Sequence, residues 1–216
     1  MSPIDHDRIS FFRASWNRAW TGIGAGTSGD SEFDALIKRH SESWRAYHTV
    51  HHLAECLDSL DSVRAMADRP LELELALWFH DAVYDPRKID NEETSASVAR
   101  QSMVDAEISE AAIELVESLI LATKHTTLPS SNDERLIVDI DLAILGSSPT
   151  RFAEYEEQIR SEYSFVPIDV FRQKRGEILQ SFLDRQRIYS TDHFHDLLEA
   201  NARKNLSAVL TSTYRS

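Results

Sequence analysis

Residues 75–84 are Leu-Ala-Leu-Trp-Phe-His-Asp-Ala-Val-Tyr, an apolar run with a histidine and an aspartate side by side. The run is predicted to belong to a helix over residues 71–84, with Pro70 in its first turn. An unpaired carboxylate costs on the order of several kcal/mol in a low-dielectric interior, so Asp81 needs a partner or a metal ion. Borderline divalent cations bind both imidazole nitrogen and carboxylate oxygen. The pair His80-Asp81 therefore indicates either a satisfied core histidine or part of a metal site.

Three histidines lie upstream at positions 48, 51 and 52, where the apolar spacing predicts a helix over residues 48–66. Since His48 and His52 are four residues apart, they are expected to project from one face of that helix. His51 points to the flank of this face and is predicted not to bind metal. Cys56 occupies an apolar position and is interpreted as a plain core residue.

A further apolar segment, residues 136–146, is interrupted by Asp139 and Asp141. On a helix the two acids lie about 200° apart, and Asp141 has apolar residues around it. A carboxylate embedded in this way again requires a cation. Asp141 is therefore the acid of this segment that is expected to face a metal.

The pattern H…HD…D formed by His52, His80-Asp81 and Asp141 resembles the HD superfamily of metal-dependent phosphohydrolases. Longer strings are similar to a bacterial branch of HD hydrolases with no settled substrate, and this similarity covers nearly the whole chain. The strings that carry it are residues 47–52, 79–85, 90–92, 139–146, 159–163 and 182–189. The resemblance implies a single all-α domain of the HD type, a helical bundle.

The resemblance also implies a ligand set for one divalent metal: His52, His80, Asp81 and Asp141. Two histidines and two carboxylates leave coordination positions for water and a substrate oxygen, as a hydrolytic site requires. The ion is expected among Mn, Fe, Co, Ni, Mg and Zn, without a choice between them. Whether one or two ions bind is left open.

Further roles follow from the same resemblance. The Tyr47-His48…His52 string is similar to cyclic-nucleotide phosphodiesterases, in which the first histidine donates a proton and the second binds metal. His48 is thus the expected general acid, and Glu92 or Asp85 is the expected base. Substrate phosphate is expected to contact Arg45, Lys124 and His125.

The expected function is hydrolysis of a phosphomonoester or phosphodiester bond in a small phosphorylated metabolite or nucleotide by metal-activated water. The alternative is a non-catalytic metal-containing module that senses a ligand or binds a partner. A third interpretation is a di-iron oxygenase of the HD type. It is disfavoured because two-iron members use additional histidines between Asp81 and Asp141, where this chain has only His125.

Charge and composition limit the partners. The chain has 216 residues, 36 acidic against 23 basic, and a formal net charge of −13. This balance repels nucleic-acid polymers and anionic membrane surfaces. One cysteine excludes an intramolecular disulfide, and no signal peptide or span of about 20 apolar residues is evident. A cytoplasmic location is expected, and a homodimer is left open.

Turn and cap signals divide the chain into about nine or ten helices, and no alternating strand pattern is present. One domain is predicted over residues 1–216. It consists of an N-terminal helix and Gly-rich loop (1–30), a metal-site core (31–146) and C-terminal helices (147–216). Glu93, three residues after Asp90, predicts a capping box at the start of a helix over residues 91–104.

Overall fold

Apolar residues at helical spacing recur along the chain, and the computed structural model, which describes residues 6–213, is correspondingly all-α. The ten helices of this described part confirm the predicted class and number. They are α1 (His6–Gly22), α2 (Asp30–Arg39), α3 (Val50–Val63), α4 (Pro70–Phe79), α5 (Asn91–Asp105), α6 (Glu110–Ala122), α7 (Asn132–Asp141), α8 (Pro149–Glu162), α9 (Ile168–Leu183) and α10 (Asp192–Thr213). Short 3-10 segments follow α3 (Arg64–Met66) and α7 (Leu142–Gly146).

Two units divide the chain, Met1–Ile137 and Val138–Ser216, and the division falls inside α7. One domain over residues 1–216, with its three predicted segments, stays a prediction, as does the HD type of the bundle. The expected absence of a signal peptide concerns the first residues of the chain, and residues 1–5 lie outside the described part. Within that part, no helix is both long enough and apolar enough to cross a membrane.

Helix α4 is the central helix of the first unit and packs against α1, α3, α5 and α6. Every residue from Glu72 to Phe79 is buried. Trp16 of α1 meets Trp78 edge to face, with ring centroids 5.4 Å apart. The buried carboxylate of Glu74 accepts hydrogen bonds from Ser15 and Arg18. These contacts fix the helix that leads into His80.

Helix α4 ends at Phe79, so the predicted extension to Tyr84 is wrong. The Nδ1 atom of His80 is 2.8 Å from the carbonyl oxygen of Leu77, the acceptor that the next backbone N–H of an α-helix would use. The N–H of Ala82 instead donates to Phe79, three residues back. The His80 side chain thus competes with the helix backbone, and residues 80–83 form a turn.

The helices predicted to start at residues 48 and 91 start at Val50 and Asn91. Pro70 occupies the first turn of α4, as predicted. Asp90 is the residue before α5, but its side chain makes no capping hydrogen bond, so the predicted capping box is not formed. Lys124 instead pairs with the Glu93 carboxylate that the box would use.

The second unit is held by side chains that bond to backbone. Tyr189 donates from its hydroxyl to the carbonyl oxygen of Leu142 (3.1 Å), and Asn205 donates to that of Leu145 (2.9 Å). A Cβ atom added at Gly146 would lie 2.6 Å from Cβ of Leu198. Glycine at 146 therefore permits the close approach of α10.

Candidate metal centre

The segment before α3 differs from the prediction. Thr49 caps this helix, because its hydroxyl oxygen accepts from the N–H of His51 at 3.2 Å, and the helix begins at Val50. His48 precedes the cap and is not helical, so the argument that His48 and His52 share a helix face is wrong. Their proximity arises from the turn at residues 47–49, in which the N–H of Thr49 bonds to the carbonyl oxygen of Tyr47.

Two buried imidazoles face one another in the first unit. The Nε2 atoms of His52 and His80 are 3.3 Å apart, and each side chain is 2% exposed. Because Nδ1 of His80 donates to the carbonyl oxygen of Leu77, Nε2 is the ring nitrogen of His80 that faces His52. Two nitrogen atoms that converge in this way are suited to a shared cation.

The carboxylate of Asp81 joins the two imidazoles. Its Oδ2 atom lies 3.2 Å from Nε2 of His80 and 3.5 Å from Nε2 of His52. These approaches fall outside hydrogen-bond geometry, and this buried oxygen has no hydrogen-bond partner among the described residues. A buried acceptor without a donor is expensive, and a cation would satisfy it.

Electrostatics keep Asp81 ionised. Burial by itself would raise the pKa of its carboxyl group, but the nearby imidazoles of His80 and His48 outweigh burial and hold that pKa below its ordinary value. The site therefore offers an anionic oxygen beside two nitrogen donors.

The separations among these three atoms match a metal site. An ion bound tetrahedrally at about 2.0–2.1 Å holds its nitrogen and oxygen ligands about 3.3 Å apart. The distances between the Nε2 atoms and Oδ2 are 3.2, 3.3 and 3.5 Å. The separations among these three atoms are therefore those expected of ligands that share one divalent cation.

Cys56 belongs to the same group, although the sequence interpretation treated it as a core residue. It lies one turn after His52 on α3, and its sulfur is 3.6 Å from Nε2 of that histidine. His52, Cys56 and His80 each offer a ligand atom within 4.8 Å of the others, so they could hold a metal ion. The spacing of His52 and Cys56, four residues apart on one helix, is the signal that could have identified it.

His51 and His48 occupy different environments. The ring of His51 is half-exposed and is close to Arg8 and Glu55. His48 stacks on Tyr84, with ring centroids 3.9 Å apart, and its ring centroid is 6.0 Å from that of His52. His48 is thus beside the imidazole pair, while His51 lies on the outer side of α3.

Arg45 is buried beneath this site. Its guanidinium group bonds to the Glu42 carboxylate and to the backbone carbonyl oxygens of residues 48, 81 and 82. Four of its N–H groups are thereby engaged by protein acceptors, out of five. These contacts favour a role in positioning the site, and the expected contact with substrate phosphate stays a prediction.

The other expected site residues have local contacts of their own. Lys124 pairs with Glu93, which raises the pKa of the lysine, and donates to the carbonyl oxygen of Ile89. His125 follows α6 with φ 57°, and Glu92 lies in the first turn of α5. Asp85 accepts a hydrogen bond from the N–H two residues on. The phosphate and base roles assigned to these residues stay predictions.

Asp139 and Asp141 belong to the second unit. Asp139 is buried and accepts hydrogen bonds from the backbone N–H groups of Ser190 (2.8 Å) and Thr191 (2.7 Å). Its carboxylate therefore holds the backbone that leads into α10. Asp141 ends α7, and its membership of the ligand set stays a prediction.

Neither a protein-family model nor a curated protein nor a solved structure matches this chain. The resemblance to the HD superfamily therefore rests on the sequence pattern alone and stays a prediction.

Proposed function

We propose that this protein is a metal-dependent phosphohydrolase of the HD type that acts on a small phosphorylated metabolite or nucleotide. The observation that carries the proposal is the convergence of His52, His80 and Asp81, whose ligand atoms lie 3.2–3.5 Å apart. Two imidazole nitrogens and a carboxylate oxygen form a donor set for a divalent cation.

The bound cation would supply a water of lowered pKa and a Lewis acid for a phosphoryl oxygen. His80 is held for this task by its bond to Leu77, which fixes the tautomer with Nε2 directed at the ligand group. His52 and Asp81 complete the set in the first unit, and Asp141 is the proposed fourth ligand.

His48 is the proposed proton donor to the leaving oxygen. Its ring lies beside the ligand group and stacks on Tyr84. Its backbone is fixed by Arg45, which also bonds to the backbone of Asp81. The guanidinium group of Arg45 thus links the backbone of the proposed acid, His48, to the backbone of the proposed ligand, Asp81.

A local cationic feature is needed because the chain carries a net charge of −13. That charge repels an anionic substrate at long range. A divalent ion at the ligand group would offset the negative charge of its carboxylate ligands, and Lys124 and His125 are the proposed further contacts of the phosphate.

The test is metal analysis combined with a hydrolysis panel of nucleotides, sugar phosphates and p-nitrophenyl phosphate. We expect metal-dependent release of phosphate from at least one substrate, abolished in His80→Ala and retained in His51→Ala, which alters a half-exposed histidine outside the ligand group. Bound metal with no hydrolysis across the panel would favour the sensing or partner-binding module. Hydrolysis that persists in His80→Ala would refute the site.

A further inference from the structure

The chain places its one cysteine against the candidate metal ligands. Cys56 is 1% exposed, and its sulfur lies 3.7 Å from Nδ1 and 3.6 Å from Nε2 of His52. The sulfur therefore rests against the imidazole ring rather than against apolar side chains alone. His80 also offers a ligand atom within 4.8 Å of it.

The sulfur is within reach of the point where the imidazoles converge. Bond lengths of about 2.3 Å to sulfur and 2.0–2.1 Å to nitrogen place the two ligand atoms about 3.5 Å apart on a tetrahedral ion. The sulfur already has nearly this separation, 3.6 Å, from Nε2 of His52, and a ligand atom of His80 lies within 4.8 Å of it, so only a rotation about the Cα–Cβ bond of Cys56 is asked of the chain. Such a rotation moves between staggered side-chain wells and leaves the backbone of α3 unchanged.

We propose that Cys56 is a thiolate ligand of this metal centre, so that the centre takes a mixed nitrogen, sulfur and oxygen donor set. Thiolate is a soft ligand, whereas Mg²⁺ and Mn²⁺ prefer oxygen. The inference selects Zn²⁺, Co²⁺ and related ions over those hard cations. It rests on the metal centre of the proposed function and is independent of whether the centre hydrolyses phosphate esters.

The test uses Co²⁺ added to the full-length protein after chelator treatment. A thiolate bonded to Co²⁺ gives an intense charge-transfer absorption in the near ultraviolet, and nitrogen and oxygen ligands do not. Because Cys56 is the one cysteine of the chain, any such band is assigned without ambiguity. We expect the band in the wild type and its loss in Cys56→Ser, with the weaker visible bands of Co²⁺ retained.

A second measurement covers metal preference. Loss of a residue that only supports a metal ligand weakens metal binding by roughly 10–100-fold. We expect Cys56→Ser, which removes a ligand itself, to weaken Zn²⁺ binding by at least this factor. Mg²⁺ binding should change little. His51→Asn, on the outer side of α3, serves as the matched control. Circular dichroism confirms folding, and Cys56→Ala replaces the serine variant if that one fails to fold.

The outcomes separate the two proposals. Visible Co²⁺ bands without charge transfer would overturn thiolate ligation and leave the histidine and aspartate centre intact. Absence of any Co²⁺ binding would overturn both. A charge-transfer band in a protein that hydrolyses nothing on the panel would support the thiolate ligand and favour the sensing or partner-binding module over the phosphohydrolase.

Discussion

The guanidinium Nη1 atom of Arg45 donates a hydrogen bond of 2.7 Å to the backbone carbonyl oxygen of Asp81. The same nitrogen donates to the carbonyl oxygen of His48 at 3.1 Å, and Nη2 donates to that of Ala82. One buried cation thus joins the turn that precedes α3 to the turn that follows α4. Together with the stack of His48 on Tyr84, this side chain fixes the relative position of the two turns.

Arg45→Lys is expected to loosen the candidate metal centre. Lysine keeps the charge but lacks the planar fork, so at least one buried carbonyl oxygen loses its donor. We expect the free energy of unfolding to fall by about 1–3 kcal/mol. Metal affinity should fall roughly 10–100-fold, as for residues that support ligands. Urea denaturation and metal titration measure the two effects.

The matched control for this substitution is Arg172→Lys, at an exposed arginine of α9. It should change neither quantity. If Arg45→Lys loses hydrolysis but keeps its stability and metal binding, the result would instead support the contact with substrate phosphate that the sequence analysis predicted for Arg45.

The removal of single ligands is expected to empty the centre. His52→Ala, His80→Ala and Asp81→Ala should each lose metal, because two remaining donors in the first unit make a poor site. Elemental analysis of purified variants measures this, and His51→Ala is the control. Metal added to wild type should raise the melting temperature, since a ligand of the folded state stabilises it by mass action. Undiminished metal in all three variants would contradict the assignment.

Much of the fold followed from sequence because its signals are local. Ser109, Thr150 and Pro167, from which three helix starts were predicted, each lie within one residue of the observed first residue. The apolar run before His80 is buried on all sides, as its composition indicated. The adjacency of His80 and Asp81 then brought both side chains to one end of α4.

The errors arose where side chains bond to the backbone. The hydroxyl of Thr49 caps α3, so this helix begins after His48 and does not include it. The bond of the His80 side chain to the backbone ends α4 before Tyr84. The four bonds of Arg45 join residues up to 37 positions apart, and no local periodicity encodes them. Cys56 had a readable spacing from His52, but its apolar surroundings favoured a core interpretation.

His40 is expected to make folding sensitive to acid. Burial, with a smaller contribution from Arg45, lowers the pKa of His40 from its ordinary 6.5 to about 3. Between these values the unfolded chain binds the proton and the folded protein does not, so stability falls as pH decreases from 6.5 toward 3. The slope approaches about 1.4 kcal/mol per pH unit for this one group.

The measurement is chemical denaturation at several pH values between 4 and 7, on wild type and His40→Gln. The variant should lose the share of the acid slope that comes from His40. Asp81 and His80 are the other titratable groups that face this imidazole, and both remain in the variant. Identical slopes in the two proteins would show that His40 titrates normally in the folded state.

Substitutions of the two acids of α7, Asp139 and Asp141, are expected to have different effects, the first on stability and the second on metal binding. Asp139→Asn replaces one of the two oxygens that accept backbone N–H groups by an NH2 donor, so it should cost about 1–3 kcal/mol in the free energy of unfolding while the folded protein retains metal. Asp141→Asn should weaken metal binding and abolish hydrolysis. Denaturation and elemental analysis of both variants distinguish the effects. Metal loss confined to a folded Asp139 variant would reverse the ligand assignment.

His48 provides the most demanding test, because it is the proposed acid and not a ligand. His48→Asn should retain metal and fold, yet lose roughly 10²–10⁴-fold in turnover, the usual contribution of general acid catalysis. The loss should shrink for p-nitrophenyl phosphate, whose leaving group departs without a proton. The stack on Tyr84 is the contact to control for, so Tyr84→Phe should preserve turnover by keeping the ring. A loss equal for all substrates would make His48 a positioning residue, and loss of metal would make it a ligand.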